Sequence, residues 1–282
     1  MVWVEVFMEY SLEPLQVVGL GHNRLERHWD DKLSSTKDNP FPLAPKDLVR
    51  MGLVTEENYQ EQNQQFGRFC NSIMESELLG LSSIPRFSSV PCPEIRILGI
   101  GLAERDLLWV RAAVYSRFYI KAYDVSRVAC DNLLSLTESL PYTHKIDVIH
   151  GEIEDLWQEI RITPDMEIPL CYGSQFIQVL KKTKMKRVVR RLGDHVAGGV
   201  NTCLGRSVCI VHPLSEDNKR SRQWNKHCIP SVEWGDTTPY SREELLNALG
   251  IKARRAGVDI DLLGVHQYFH QTYSFLKISL KG

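Results

Sequence analysis

The sequence predicts an α/β protein: a mostly parallel sheet flanked by helices and closed by an antiparallel pair. Three observations carry this. From Glu94 onward, short β-like runs alternate with longer amphipathic ones, the rhythm of βαβ units. Two glycines one residue apart, Gly99 and Gly101, follow the first of these runs, where a strand must turn sharply into a helix. The chain ends on two β-like runs, "VDIDLLGVHQYFH" and "TYSFLKISLKG", joined too tightly for a crossover helix.

The 282 residues suffice for one large domain or one domain with an extension. At 43% hydrophobic and 24% charged, the composition is that of an ordinary globular chain. A net charge of -1 gives no global field that would gather nucleic acid or anionic lipid. Glu5, Glu9 and Glu13 interrupt the N-terminal stretch, which argues against a signal peptide. No apolar run reaches the roughly 18 residues of a membrane span, and a cytoplasmic location is expected. The seven cysteines (Cys70, Cys92, Cys130, Cys171, Cys203, Cys209, Cys228) include no C-x-x-C pair. Free thiols are expected rather than a disulfide framework or zinc ribbon, and no metal site is expected.

Taken in order, "SSTKDNPFPLAP" (Ser34 to Pro45) reads as a loop. Thr55 is a helix N-cap with Glu56 and Glu57 in the first turn. Behind it Tyr59, Phe66, Phe69, Ile73, Met74 and Leu78 recur at helical spacing. Three prolines in "SSIPRFSSVPCP" then mark a boundary between an N-terminal extension with a helical cap or lid (1–90) and a second domain (91–282). In that domain "EIRILGI", "FYIKAYDV", "KIDVIHG", "IPLCYGS" and "SVCIVHPL" are strands, with helical runs between them. "SREELLNALG" is a further helix capped by Ser241.

Ligands of open α/β sheets bind outside the carboxyl ends of the strands, so the residue after each strand matters most. Gly99 and Gly101 permit close backbone approach. Asp124, followed by Val125, ends the second strand, where an acid can accept bonds from ribose hydroxyls. Glu152 and Ile153 follow the third strand and suit an exocyclic amine beside an apolar face. Tyr172 and Gly173 follow the fourth. Each also has a plain structural reading: a tight turn for the glycines, an N-cap for Asp124, first-turn charge for Glu152.

These four stretches together resemble the class I S-adenosylmethionine (SAM)-dependent methyltransferases. "RILGIGLAE" is similar to the family's glycine motif, "IKAYDVSRVACDNL" to its ribose-binding motif, and "DVIHGEIEDL" to the motif whose acid contacts the adenine amine. "EIPLCYGSQFIQVL" resembles the fourth strand, from which a catalytic or substrate-orienting face is built. The resemblance covers roughly Glu94 to Gly282 and implies a Rossmann-like, seven-stranded sheet with an antiparallel last strand. It implies SAM as cofactor, bound by Gly99, Gly101, Asp124, Val125, Glu152, Ile153, Tyr172 and Gly173. Ile97 stands where the family carries an acid, and Ala103 where it carries a third glycine.

Methyl transfer needs a base only when the nucleophile must lose a proton. His212, ending the fifth strand, is the candidate; a loop histidine is the alternative. Candidate substrate contacts are Tyr59 and Phe66 on the lid helix, His266, and Trp224 in the polar insertion "SEDNKRSRQWNKH". Asn63, Trp234, Tyr268 and His270 stand near them, and packing explains most of these residues equally well. In "KKTKMKRVVRR" the cations alternate with an apolar stripe, so they read as the outward face of one helix rather than as a nucleic-acid patch.

The sequence therefore points to a SAM-dependent methyltransferase acting at O or N of a small molecule, aromatic natural products included. The sequence leaves the oligomeric state open, with a homodimer through the N-terminal helical region as one candidate. The rivals are an RNA- or protein-directed methyltransferase, and a methyltransferase-like protein without transfer.

Overall fold

The computed structural model describes residues 18–19, 55–85, 87, 93–100, 107–138, 140–141, 145–151, 167–202, 204–218, 239–268 and 271–281. The Ser34–Pro45 loop, Cys92, Cys203 and Cys228 lie outside these residues. In chain order the elements begin with β1 (Val18–Gly19), α1 (Glu56–Ser82), β2 (Glu94–Leu98), α2 (Leu107–Tyr115), β3 (Tyr119–Asp124), α3 (Arg127–Thr137) and β4 (Ile146–His150). They continue with β5 (Leu170–Ser174), α4 (Lys182–Ala197), β6 (Ser207–His212), α5 (Arg242–Ala248), α6 (Gly250–Arg255), β7 (Val258–Tyr268) and β8 (Gln271–Leu280).

The strands form one sheet in the order β1-β4-β3-β2-β5-β6-β8-β7. Strands β1 to β6 pair in parallel, while β8 runs antiparallel to both β6 and β7. This is the expected seven-stranded sheet with an antiparallel last strand, extended by the two-residue β1. Strands β2 and β6 are buried along their whole length, as parallel strands covered on both faces must be.

Alternation along the strands feeds two cores. Ile95, Ile97, Ile120, Tyr172, Val211 and Phe275 meet α1, α2 and α3 on one face. Leu98, Tyr123, Cys171, Ile210 and Leu276 meet α4, α5 and α6 on the other. Thr55 and Ser241 cap α1 and α5 as their sequences require; Ser241 and Glu244 form a reciprocal capping box. Cys70, Cys130, Cys171 and Cys209 are buried free thiols.

Helix α1 packs against the sheet. Phe66, Cys70, Met74 and Leu78 belong to the same core as β2, β3 and α2. The helix runs along β7 and β8. Asn63 receives the Tyr268 hydroxyl at 2.6 Å, and Glu77 pairs with Lys277 at 2.5 Å. Its first half therefore stands at the carboxyl edge of the sheet, where Tyr268 ends β7. Gly264 permits the close approach: a Cβ there would lie 3.0 Å from the Phe69 ring.

Candidate cofactor and acceptor site

Strand order reverses between β2 and β5, because β3 and β4 lie to one side of β2 while β5 and β6 lie to the other. That reversal is the switch point at which open sheets hold ligands. Register brings the strand ends together there: Leu98 lies beside Tyr123, Asp124 beside His150, and Ile97 beside Tyr172. Gly99, Asp124, Gly151 and Gly173 thus come to one edge. Gly101, Glu152, Ile153, Trp224, Trp234 and His270 lie outside the described residues.

Asp124 organises this edge. Its Oδ2 accepts the Ile100 N–H at 2.7 Å, and its Oδ1 accepts the Ser126 N–H at 2.8 Å. One carboxylate therefore ties the turn after β2 to the start of α3. The N-cap of α3 is Ser126, whose side chain accepts from Ala129 N–H, so the capping role open to Asp124 in the sequence falls to its neighbour. The residue is half-buried. Val125, also half-buried, is fixed through its carbonyl by the His150 ring at 3.1 Å.

Gly99 adopts φ +77, a left-handed conformation that a side chain disfavours. Across the switch point, Phe176 lies on both glycines. A Cβ at Gly99 would stand 2.8 Å from Phe176 Cβ, and one at Gly173 would stand 2.2 Å from its Cε1. Phe176 follows Gln175, which holds φ 59 although it is not glycine. Strain of that kind persists where the surrounding structure fixes it; here the Gln175 N–H donates to Val211 O at 2.9 Å. Sequence reading passed over Phe176 and Gln175, and the "GSQF" that closes β5 and leads out of it was their only signal.

A substitution probes this contact. Gly173→Ala is expected to cost about 1–3 kcal/mol by overpacking against Phe176 and the Leu98 carbonyl. The double variant Gly173→Ala/Phe176→Ala should be less destabilised than the sum of the two single changes. Urea denaturation of the four proteins measures this coupling, and strict additivity would contradict the contact.

Tyr172 is fully buried, and its ring meets Trp109 at 5.0 Å, edge to face, and Phe275 at 6.2 Å. Its expected cofactor contact is therefore limited to its backbone at the edge. Phe66 is likewise fully buried, with ring centroids 4.8 Å from Tyr268, 5.2 Å from Tyr273 and 5.7 Å from His266. It builds the wall behind the edge and does not itself reach a ligand. Tyr59 is also buried. His266 is half-buried and stacked on Phe69 at 5.1 Å, and burial lowers its pKa. Tyr268 and Asn63, hydrogen-bonded to each other, are the lid-side pair standing at the carboxyl edge.

The expectation that His212 acts as base meets a different geometry. Its ring is fully buried, and Nε2 meets the Tyr240 backbone, 3.0 Å from the N–H and 3.3 Å from the carbonyl oxygen. Nδ1 has no hydrogen-bond partner among the described residues. Burial brings the pKa down to about 4, so the ring is neutral and a weak base. It anchors Tyr240, whose hydroxyl in turn donates to the Leu180 carbonyl.

His195 is buried under the opposite end of the sheet, beside Cys171 at 3.8 Å and near Arg206 and Arg96; burial and these cations lower its pKa to about 3. Burial pushes Cys171 up to about 12, so the pair is a neutral packing contact. Glu94, in the same layer, pairs with Arg96 at 2.5 Å and is far from the site edge.

Both histidines bind protons more weakly folded than unfolded. Stability should be complete above about pH 6.5 and fall as pH drops toward 4, by about 1.4 kcal/mol per unit per histidine. His212→Gln should flatten that slope in pH-dependent thermal denaturation; an unchanged slope would contradict the neutral assignment.

A groove of about 350 Å³ between the end of α1 and the start of β6, lined by Glu77, Arg206 and Lys277, lies at the amino edge and shares no residue with this site. Among the described residues no His, Cys, Asp and Glu cluster forms a metal site, and no helix is long and apolar enough to cross a membrane.

No protein-family model and no curated protein sequence matches the chain. Solved structures do. The chain is similar to magnesium protoporphyrin IX methyltransferase (ChlM) from Synechocystis PCC 6803 with bound SAH, at TM-score 0.56 and 9% identity, over 91% of this chain and 98% of that one. It is more distantly similar to the dimethyltransferase RosA from Streptomyces davawensis, at TM-score 0.48 and 12% identity, over 90% of this chain and 62% of that one. The pyocyanin biosynthetic protein PhzM matches at TM-score 0.43 and 16% identity, over 71% and 54%. The sheet order, the antiparallel β8 and the first of these likenesses show one thing: the fold is that of the class I methyltransferases.

Proposed function

We propose that the chain is a SAM-dependent methyltransferase acting at oxygen or nitrogen of a small molecule. The observation that carries this reading is the Asp124 carboxylate, held at the carboxyl end of β3 by the Ile100 and Ser126 amides. A pair of ribose hydroxyls has the complementary donors. The Synechocystis protein of the same fold was solved with SAH.

The residues present fit the nucleoside end of SAM. Asp124 would hold the ribose, Gly99 turns the adjoining backbone in a left-handed conformation, and Val125 is fixed beside it by His150. At the methionine end Ile97 is buried in the α1-side core and offers no charge to an ammonium group. When bound, SAM supplies an electrophilic methyl on a sulfonium, so orientation and exclusion of water make up most of what the protein must add.

Phe176 on the Gly99 and Gly173 backbone and Tyr268 on the lid side give the edge an apolar, aromatic surround suited to a flat acceptor. With His212 sealed against Tyr240, the acceptors best served are those that need little help in losing a proton: neutral amines and acidic hydroxyls such as phenols.

The test is transfer of a labelled methyl group from SAM to a panel of phenols and aromatic amines. Label in the small-molecule fraction supports the reading. Label confined to RNA or protein would replace it with a macromolecular substrate. No label anywhere, with SAM binding intact, would leave a binding protein of this fold.

A further inference from the structure

Helix α4 presents Lys186, Arg187, Arg190 and Arg191 on its exposed side, as its amphipathic sequence requires. The fold adds what the sequence could not show. Helix α6 packs directly on α4, because Gly193 lets the two backbones close: a Cβ there would meet Ala253 Cβ and Leu249 O at 3.0 Å. Gly250 does the same for a side chain, the stem of Arg190 lying within 3.1 Å of where its Cβ would stand. Arg254 Nε donates to the Gly250 carbonyl at 3.3 Å, so two guanidinium side chains converge on one glycine. Lys252 and Arg254 are exposed, like the cations of α4. The acids of α4, α5 and α6 are few: Glu244 is paired to Lys182 at 2.7 Å, leaving Asp194 and Glu243.

One face thus concentrates positive charge on a chain whose net charge is only -1. Like charges packed together cost free energy that a bound polyanion removes. We propose that the α4–α6 face docks the phosphate backbone of a nucleic-acid duplex. Lys186 and Arg190 are one helical turn apart, so the two project side by side and can engage neighbouring phosphates. Arginine forks match phosphate oxygens in pairs. Neither α4 nor α6 contains Phe, Tyr or Trp, so the face has no platform on which unpaired bases would stack, and a duplex backbone fits it better than a single strand. Ile251 is the large exposed apolar side chain on α6, too little for the desolvated centre of a protein–protein interface. The inference does not depend on methyl transfer, since docking requires neither cofactor nor acceptor.

The test is fluorescence anisotropy of a labelled 20-base-pair duplex, as RNA and as DNA, titrated with the full chain between 50 and 200 mM salt. Saturable binding should weaken steeply with salt, with a log–log slope of roughly −4 if about four phosphates are neutralised. The double variant Lys186→Glu/Arg190→Glu should bind at least tenfold more weakly. Lys252→Glu/Arg254→Glu should do the same. Arg68→Glu/Lys145→Glu, an equal charge change away from α4 and α6, should stay within twofold. Circular dichroism melting confirms that all variants fold. Absence of binding at 50 mM salt, equal loss in the Arg68/Lys145 control, or equal competition by polyglutamate would overturn the proposal. Tighter binding of a single strand than of the duplex would also overturn it.

Discussion

Replacing Phe66 with alanine is expected to cost about 3–5 kcal/mol, the range for deleting a buried aromatic ring. The ring is fully buried and in contact with Tyr268, Tyr273, Phe69 and His266, which come from three different elements. Its loss would open a cavity between α1 and the β7–β8 hairpin that rigid strands cannot collapse to fill. Equilibrium denaturation measures the effect. A loss below about 1 kcal/mol would mean that α1 rests on the sheet as a lid and is not part of its core. Phe66→Leu, which keeps much of the apolar volume, should recover most of the stability.

Replacing Asp124 with alanine should weaken SAM at least tenfold, by two routes at once. The ribose would lose its acceptor, and the Ile100 and Ser126 amides would lose the carboxylate that fixes the turn after β2. Asp124→Asn separates the routes. An asparagine carbonyl can still accept one of the two amides, so the turn should be better kept while the charge at the ribose is gone. Affinity intermediate between wild type and Asp124→Ala is therefore expected, measured by calorimetry with thermal melts alongside. If both variants bind SAM as the wild type does, Asp124 is a structural brace and nothing more.

What the sequence could reveal followed from how each signal is encoded. The order of strands and helices was legible because buried parallel strands and amphipathic helices carry different periods, and the strand ends Gly99, Asp124 and Gly173 were legible because a turn follows each of them. Relations across the sheet were not. Nothing near position 176 announces that its ring will lie on Gly99, since the two meet only through the pairing of β2 with β5. His212 ends a strand as a catalytic histidine would, yet its partner Tyr240 comes from beyond the polar insertion, and that contact seals it. The basic run of α4 looked like one solvated helix face because its companion α6 is remote in sequence. The lid helix could not be told from a core helix by its own apolar stripe; only Gly264 and the aromatic residues of β7 and β8 decide it.

The central claim is that the crevice between β2 and β5 is a SAM site, and calorimetric titration of the unaltered chain with SAM and with its demethylated product SAH addresses it most directly. The expected result is saturable one-to-one binding of both, in the micromolar range and weakened by Asp124→Ala. Absence of heat and of competition by either ligand, in a chain whose melting curve shows it folded, would contradict the claim and leave the fold without its cofactor.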